Sequence, residues 1–112
     1  MQLTHPYVLG GMTVTATASL TTGTNGTLLT GDSAYKLDLI QIGFTNASDA
    51  ATTVTLSDDG TTVRTFPVAA STASNIEFSI PLPQNAAGGN WRVDLPDISG
   101  TTVTVYAQFI KR

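Results

Sequence analysis

The chain contains no cysteine, which removes disulfides, thiolate nucleophiles and cysteine-ligated zinc in one step. Histidine occurs once, as His5, and glutamate once, as Glu77. Only 12% of the residues are charged, and the formal net charge is −3. The five basic residues, Lys36, Arg64, Arg92, Lys111 and Arg112, are scattered apart from the last two. A nucleic-acid binder needs a clustered basic face, so no nucleic-acid partner is expected. No apolar run is long enough to cross a bilayer, and the opening "MQLTHPYVLGG" lacks a basic leader region. Neither a signal peptide nor a membrane span is expected. Scarce Glu and Lys also means scarce material for the exposed faces of helices.

Threonine, valine, alanine and glycine take their place. Threonine is β-branched and suits a half-buried pleated surface. Apolar residues alternate with period two in short runs, and no stretch holds a helical period. The runs are 12–18, 26–31, 35–46, 52–57, 61–66, 75–82, 90–96 and 101–111. Between them lie turn residues, such as Asn25-Gly26, Asp58-Asp59-Gly60 and Asn85 to Asn90. Seven or eight short strands at this spacing predict an all-β chain, a single antiparallel β-sandwich over 1–112. A jelly-roll-like arrangement is the first expectation and an immunoglobulin-like sandwich the alternative. Residues 1–11 are the least patterned and are expected to form an N-terminal arm. Within 35–46 the apolar parity switches from Leu37 and Leu39 to Ile40, Ile42 and Phe44, which predicts a β-bulge or a strand crossing between sheets.

The densest acidic pair lies in "TTVTLSDDGTTVRTF" (52–66). Calcium loops space their carboxylates alternately so that the oxygens converge, and they add a distant Glu. Here the acids are adjacent and no Glu follows. A type I turn with Gly60 in a G1 bulge is the favoured reading, and no metal is expected. His5 sits in the unpatterned segment beside Pro6, with no nucleophile elbow anywhere in the chain. Glu77 falls on the polar parity of its run, where a solvated charge is the ordinary outcome. The glycine pairs 10–11 and 88–89 precede no helix, so no phosphate cradle is implied. Catalytic residues and cofactors are therefore expected to be none. Trp91 shares parity with Val93 and Leu95, which favours a core or rim position over a sugar platform. Asn46-Ala47-Ser48 matches a glycosylation acceptor pattern and is read as a chance match. Tyr106 and Ile110 share a parity with Gln108 and two threonines, the mixed composition of a protein interface. With Tyr7 of the arm, Tyr106, Gln108 and Ile110 are the expected interface residues.

The stretch "KLDLIQIGFTNASDAATTVTLSDDGTTVRTFPVAASTASNIEFSIPLPQNAAGGNWRVDL" and the closing "TTVTVYAQFIKR" resemble small β-sandwich virion proteins of tailed bacteriophages. The likeness lies in a strand ending in "TN", a "DG" hairpin, "FPVAA", a "PLP" strand end and a final "VTVYA" strand. The resemblance implies a non-enzymatic virion structural protein, of the capsid decoration or auxiliary head type. It implies the major capsid protein or other virion proteins as partners, and a homo-oligomer, with a trimer expected at capsid threefold sites. Synthesis in the reducing host bacterial cytoplasm suits a chain without cysteine. The alternative expectation is a carbohydrate- or receptor-binding module of a phage tail or fibre.

Overall fold

A computed structural model describes residues 13–21, 25–96 and 102–112. Each expected run is a strand: β1 (Thr13–Thr21), β2 (Asn25–Leu29), β3 (Leu37–Asn46), β4 (Thr52–Asp58), β5 (Thr61–Val68), β6 (Thr72–Leu82), β7 (Trp91–Asp94) and β8 (Thr102–Lys111). They form two four-stranded sheets, ordered β1-β8-β3-β6 and β2-β7-β4-β5. Every pairing is antiparallel. Only β4 and β5 are neighbours both in sequence and in a sheet; elsewhere the chain crosses between layers. That is a jelly-roll sandwich, and the immunoglobulin-like alternative falls to the strand order. The expected arm at 1–11, with His5 and Tyr7, lies outside the described residues.

Alternation decides which side of each strand enters the core. Ala16 and Leu20 of β1, Ile42 and Phe44 of β3, and Val103, Val105, Ala107 and Phe109 of β8 point inward from the first sheet. Val54 and Leu56 of β4, Phe66 and Val68 of β5, and Trp91 and Val93 of β7 meet them from the second. The Phe44 and Phe66 rings lie 5.3 Å apart, and those of Trp91 and Phe109 5.6 Å apart. These pairs, tilted by 45° and 38°, join the two layers at centroid separations typical of aromatic contacts. Trp91 is fully buried, as its parity predicts, and its Nε1 donates to the Leu37 carbonyl at 2.7 Å.

The parity switch in β3 is a bulge. Its register against both β6 and β8 shifts between Leu39 and Gln41, and against β8 this leaves Ile40 as the extra residue. Leu37, Leu39, Ile42 and Phe44 can therefore all face the core.

One run departs from its pattern. Ile76, Phe78 and Ile80 share a parity, yet Ile80 is 81% exposed. β6 pairs with β3 through residues 72–77 and again only at Leu82. Residues 78–81 bow off the sheet edge, and alternation along a single strand carries no sign of that. The guanidinium of Arg64 on β5 sits 5.6 Å from the Phe78 ring centroid, a cation–π contact that tethers the bowed segment.

Candidate functional site

At the acidic pair, Asp58 pairs with Thr61, so Asp59 and Gly60 alone make the loop. Both have positive φ, 49° and 91°. That is the signature of a type I′ hairpin turn, for which Asp-Gly is a preferred pair. The expected type I turn with a bulge at Gly60 is thus replaced by a tighter turn, and the irregularity moves into β5. There Leu56 pairs with Arg64 and Ser57 with Thr62, leaving Val63 extra and exposed.

The two acids have separate roles. Asp59 is exposed at the tip, whereas Asp58 is buried. The Asn85 N–H donates to Oδ2 of Asp58 at 2.8 Å, and Nε2 of Gln84 approaches Oδ1 at 3.4 Å. Gln84 is itself only 1% exposed. Its Nε2 also donates to the Gly89 carbonyl at 2.7 Å, and its Oε1 accepts the Leu37 N–H at 2.8 Å. Its own N–H donates to Oδ1 of Asp38, and Asp38 is buried under the Arg112 guanidinium, Nε to Oδ2 2.6 Å. Gln84 therefore locks the 83–90 loop to both sheets, every polar atom of its amide being matched. A cleft of about 850 Å³ opens beside this lock, lined by Asp58, Asp59, Val63, Pro83 and Asn85 among others. Among the described residues no three acidic, histidine or cysteine side chains converge as metal ligands.

The outer face of the first sheet is different. Register places Tyr106 of β8 between Gly43 of β3 and Thr17 of β1, and Gly43 next to Asn75 of β6. Cζ, Cε2 and Oη of Tyr106 all fall within 2.5 Å of the point where a Cβ would stand on Gly43. Cζ is the nearest of the three, with one ring carbon and the hydroxyl on either side of it, so that point lies under the phenolic end of the ring. The hydroxyl end of the ring crosses over the glycine, on a spot where no side chain could stand. Gln108 and Asn75 are exposed around it, Gln41 is half-buried, and Nε2 of Gln41 donates to Oδ1 of Asn75 at 2.9 Å.

Of the expected interface residues, Tyr106 and Gln108 share this exposed face. Ile110 does not, because it is fully buried. It pairs with Asp38, which is also buried, on the far side of the β3 bulge from Tyr106 and Gln108. Tyr7 lies outside the described residues. Glu77 is exposed on β6. Asn46 is no glycan acceptor: it is buried, and its Nδ2 donates to the carbonyls of Ala50 and Ala69. Sequence reasoning missed Gln84, Asp38 and Gly43. Only Gly43 carried a signal, since an isolated glycine inside a strand marks a close approach.

No protein-family profile and no curated protein sequence matches the chain. Solved structures do match by shape. The cyanophage Pam1 capsid asymmetric unit aligns over 98% of this chain and 93% of that one, with a TM-score of 0.58 and 11% identity. The carbohydrate-binding module CBM36, in complex with calcium and xylotriose, aligns over 84% of this chain and 78% of its own, with a TM-score of 0.54 and 14% identity. The insecticidal δ-endotoxin Cry8Ea1 of Bacillus thuringiensis gives a TM-score of 0.56 at 14% identity. There 86% of this chain spans only 19% of the toxin. At such identities the likeness is one of fold. The β-sandwich expected from the phage-like stretch is one that a phage capsid structure also uses.

Proposed function

We propose that this chain is a non-enzymatic structural protein of a bacteriophage virion, a decoration protein that binds the head and stabilises it. The observation that carries the reading is the near end-to-end match of one jelly roll to the cyanophage capsid structure. The phage-like run of residues from Lys36 onward agrees with it. Its action is passive: a protein that binds only the assembled shell shifts the equilibrium toward the shell by mass action.

The edge of β1 is the surface for joining other subunits. Among the described residues only β8 pairs with β1, in nine consecutive pairs without a bulge. The strand "TVTATASLT" carries neither charge nor proline, the devices that ordinarily blunt an edge. An uncharged, regular edge accepts a strand from a neighbour, either the major capsid protein or a second copy, with a trimer as the expected homo-oligomer.

Particles purified from host cells test the reading. Mass spectrometry should find the chain in stoichiometric amounts, and a reconstruction should place it on the capsid exterior. Absence from purified particles overturns it.

A further inference from the structure

We infer that the outer face of the first sheet is a binding platform for a neutral saccharide, with Tyr106 as its stacking base. The inference is independent of the virion reading, since it rests on the geometry of Tyr106 over Gly43. An aromatic ring that stands off a surface offers its edge and must be ordered before anything can stack on it. Here the Gly43 backbone lies under the phenolic end of the ring, leaving no room beneath it, while the residue as a whole stays 36% exposed. Its orientation is settled before a ligand arrives, which lowers the entropy cost of binding.

The surroundings select the ligand class. The face of a tyrosine ring is electron-rich and attracts the weakly positive C–H edge of an apolar surface. A pyranose presents such a surface on one face and hydroxyls around its rim. Side-chain amides, which both donate and accept, are suited to those hydroxyls. Gln41 and Asn75 are tied to each other by one bond from Nε2 to Oδ1, so Oε1 of Gln41 and Nδ2 of Asn75 keep their capacity at a set separation. Gln108, two residues along the same face of β8, adds a further amide, and Thr17 a hydroxyl. The tyrosine Oη makes no hydrogen bond to any described residue and is available to the same ligand. Glu77 is the one charged group among the β6 residues of this face. Among the described residues of this face a phosphorylated or sulfated ligand would find no cation, and Glu77 would repel an acidic one. The face is a sheet surface and not a deep pocket, which suits an extended oligosaccharide.

The test is an NMR titration of the full chain with neutral oligosaccharides (xylotriose, cellotriose and maltotriose), with a sulfated oligosaccharide as the charged control. A neutral sugar should shift the backbone resonances of Gly43 and Tyr106 and the side-chain amides of Asn75 and Gln108. Tyr106→Phe should keep the affinity within about threefold, because the stacking face remains. Tyr106→Ala should weaken binding about tenfold or more, the loss of one stacking contact. Gly43→Ala should weaken it comparably while the tyrosine is still present, because the new methyl group lifts the ring. That separates platform geometry from mere aromatic content. The inference is overturned if none of these sugars shifts the face, if Tyr106→Ala leaves affinity unchanged, or if the sulfated sugar binds in preference. It is also overturned if light scattering shows that Tyr106→Ala dissociates an oligomer, which would make the face a subunit contact.

Discussion

The backbone N–H of Asn85 donates to Oδ2 of Asp58 at 2.8 Å, so the acid that closes β4 holds the loop that follows β6. Its neighbour Asp59 makes the turn itself, with φ of 49°. The two substitutions should therefore behave differently in urea unfolding. Asp58→Ala should cost about 1–3 kcal/mol by stripping a part-buried N–H of its carboxylate acceptor and leaving a small cavity where the buried side chain stood. Asp59→Asn or Asp59→Gly should be nearly neutral, since both residues tolerate positive φ. Asp59→Val should cost about 1–2 kcal/mol, because a β-branched side chain clashes in the left-handed region. Equal effects from Asp58→Ala and Asp59→Gly would refute this division.

Gln84 is a buried side chain on a loop, and its amide reaches the N–H of Leu37 and the carbonyl of Gly89. Gln84→Ala should cost about 2–4 kcal/mol, combining a small cavity with two buried backbone groups left unmatched. Gln84→Glu should be as damaging despite its near-identical shape, since it loses the donor to Gly89 and places a second carboxylate beside Asp58. Hydrogen exchange at Leu37 and Asn85 should accelerate in both variants. A wild-type exchange pattern in Gln84→Glu would show that shape alone holds the loop.

The strands were legible because alternation is a local property. The bulge in β3 could be read as well, since a parity switch between Leu39 and Ile40 leaves the strand only two ways to bury both sets. The lock was hidden because its bonds join residues far apart, as Gln84 does with Asp38 and Leu37. No period in "PLPQNAAGG" distinguishes a buried glutamine from a solvated one. Ile110 shows how a local rule misleads. Its parity matches that of Tyr106, but the outer face changes character where the bulge lies in the partner strand. The turn type stayed hidden for a similar reason: Asp-Gly serves several turns, and the pairing of Asp58 with Thr61 decides among them.

Asp38 is 2% exposed, and two nitrogens of Arg112 hold its carboxylate, at 2.6 and 3.2 Å. The arginine is the wetter partner, its side chain 38% exposed, which reduces the strength of the pair. Arg112→Ala should cost about 1–3 kcal/mol, less than a fully buried pair would lose. Asp38→Asn in the Arg112→Ala background should recover part of that loss, because the buried charge goes with its partner. A double-mutant cycle by thermal unfolding measures the coupling. A coupling of zero would mean that Asp38 relies on the Gln84 N–H alone.

The edge of β1 offers the last check, on assembly. A single lysine that faces solvent on an edge strand discourages pairing with another chain, because joining the strands would desolvate its charge or set it against a neighbour. Ser19 is exposed on β1 and pairs with Thr104, a position removed from Tyr106. Ser19→Lys should leave the melting temperature of the isolated subunit within about 2 °C, as surface substitutions usually do. It should nonetheless lower the molar mass seen by light scattering, or abolish attachment to particles in co-sedimentation. Tyr106→Ala should leave both unchanged, which distinguishes the edge from the sheet face. Assembly that survives Ser19→Lys and fails with Tyr106→Ala would move the contact from the edge onto the face.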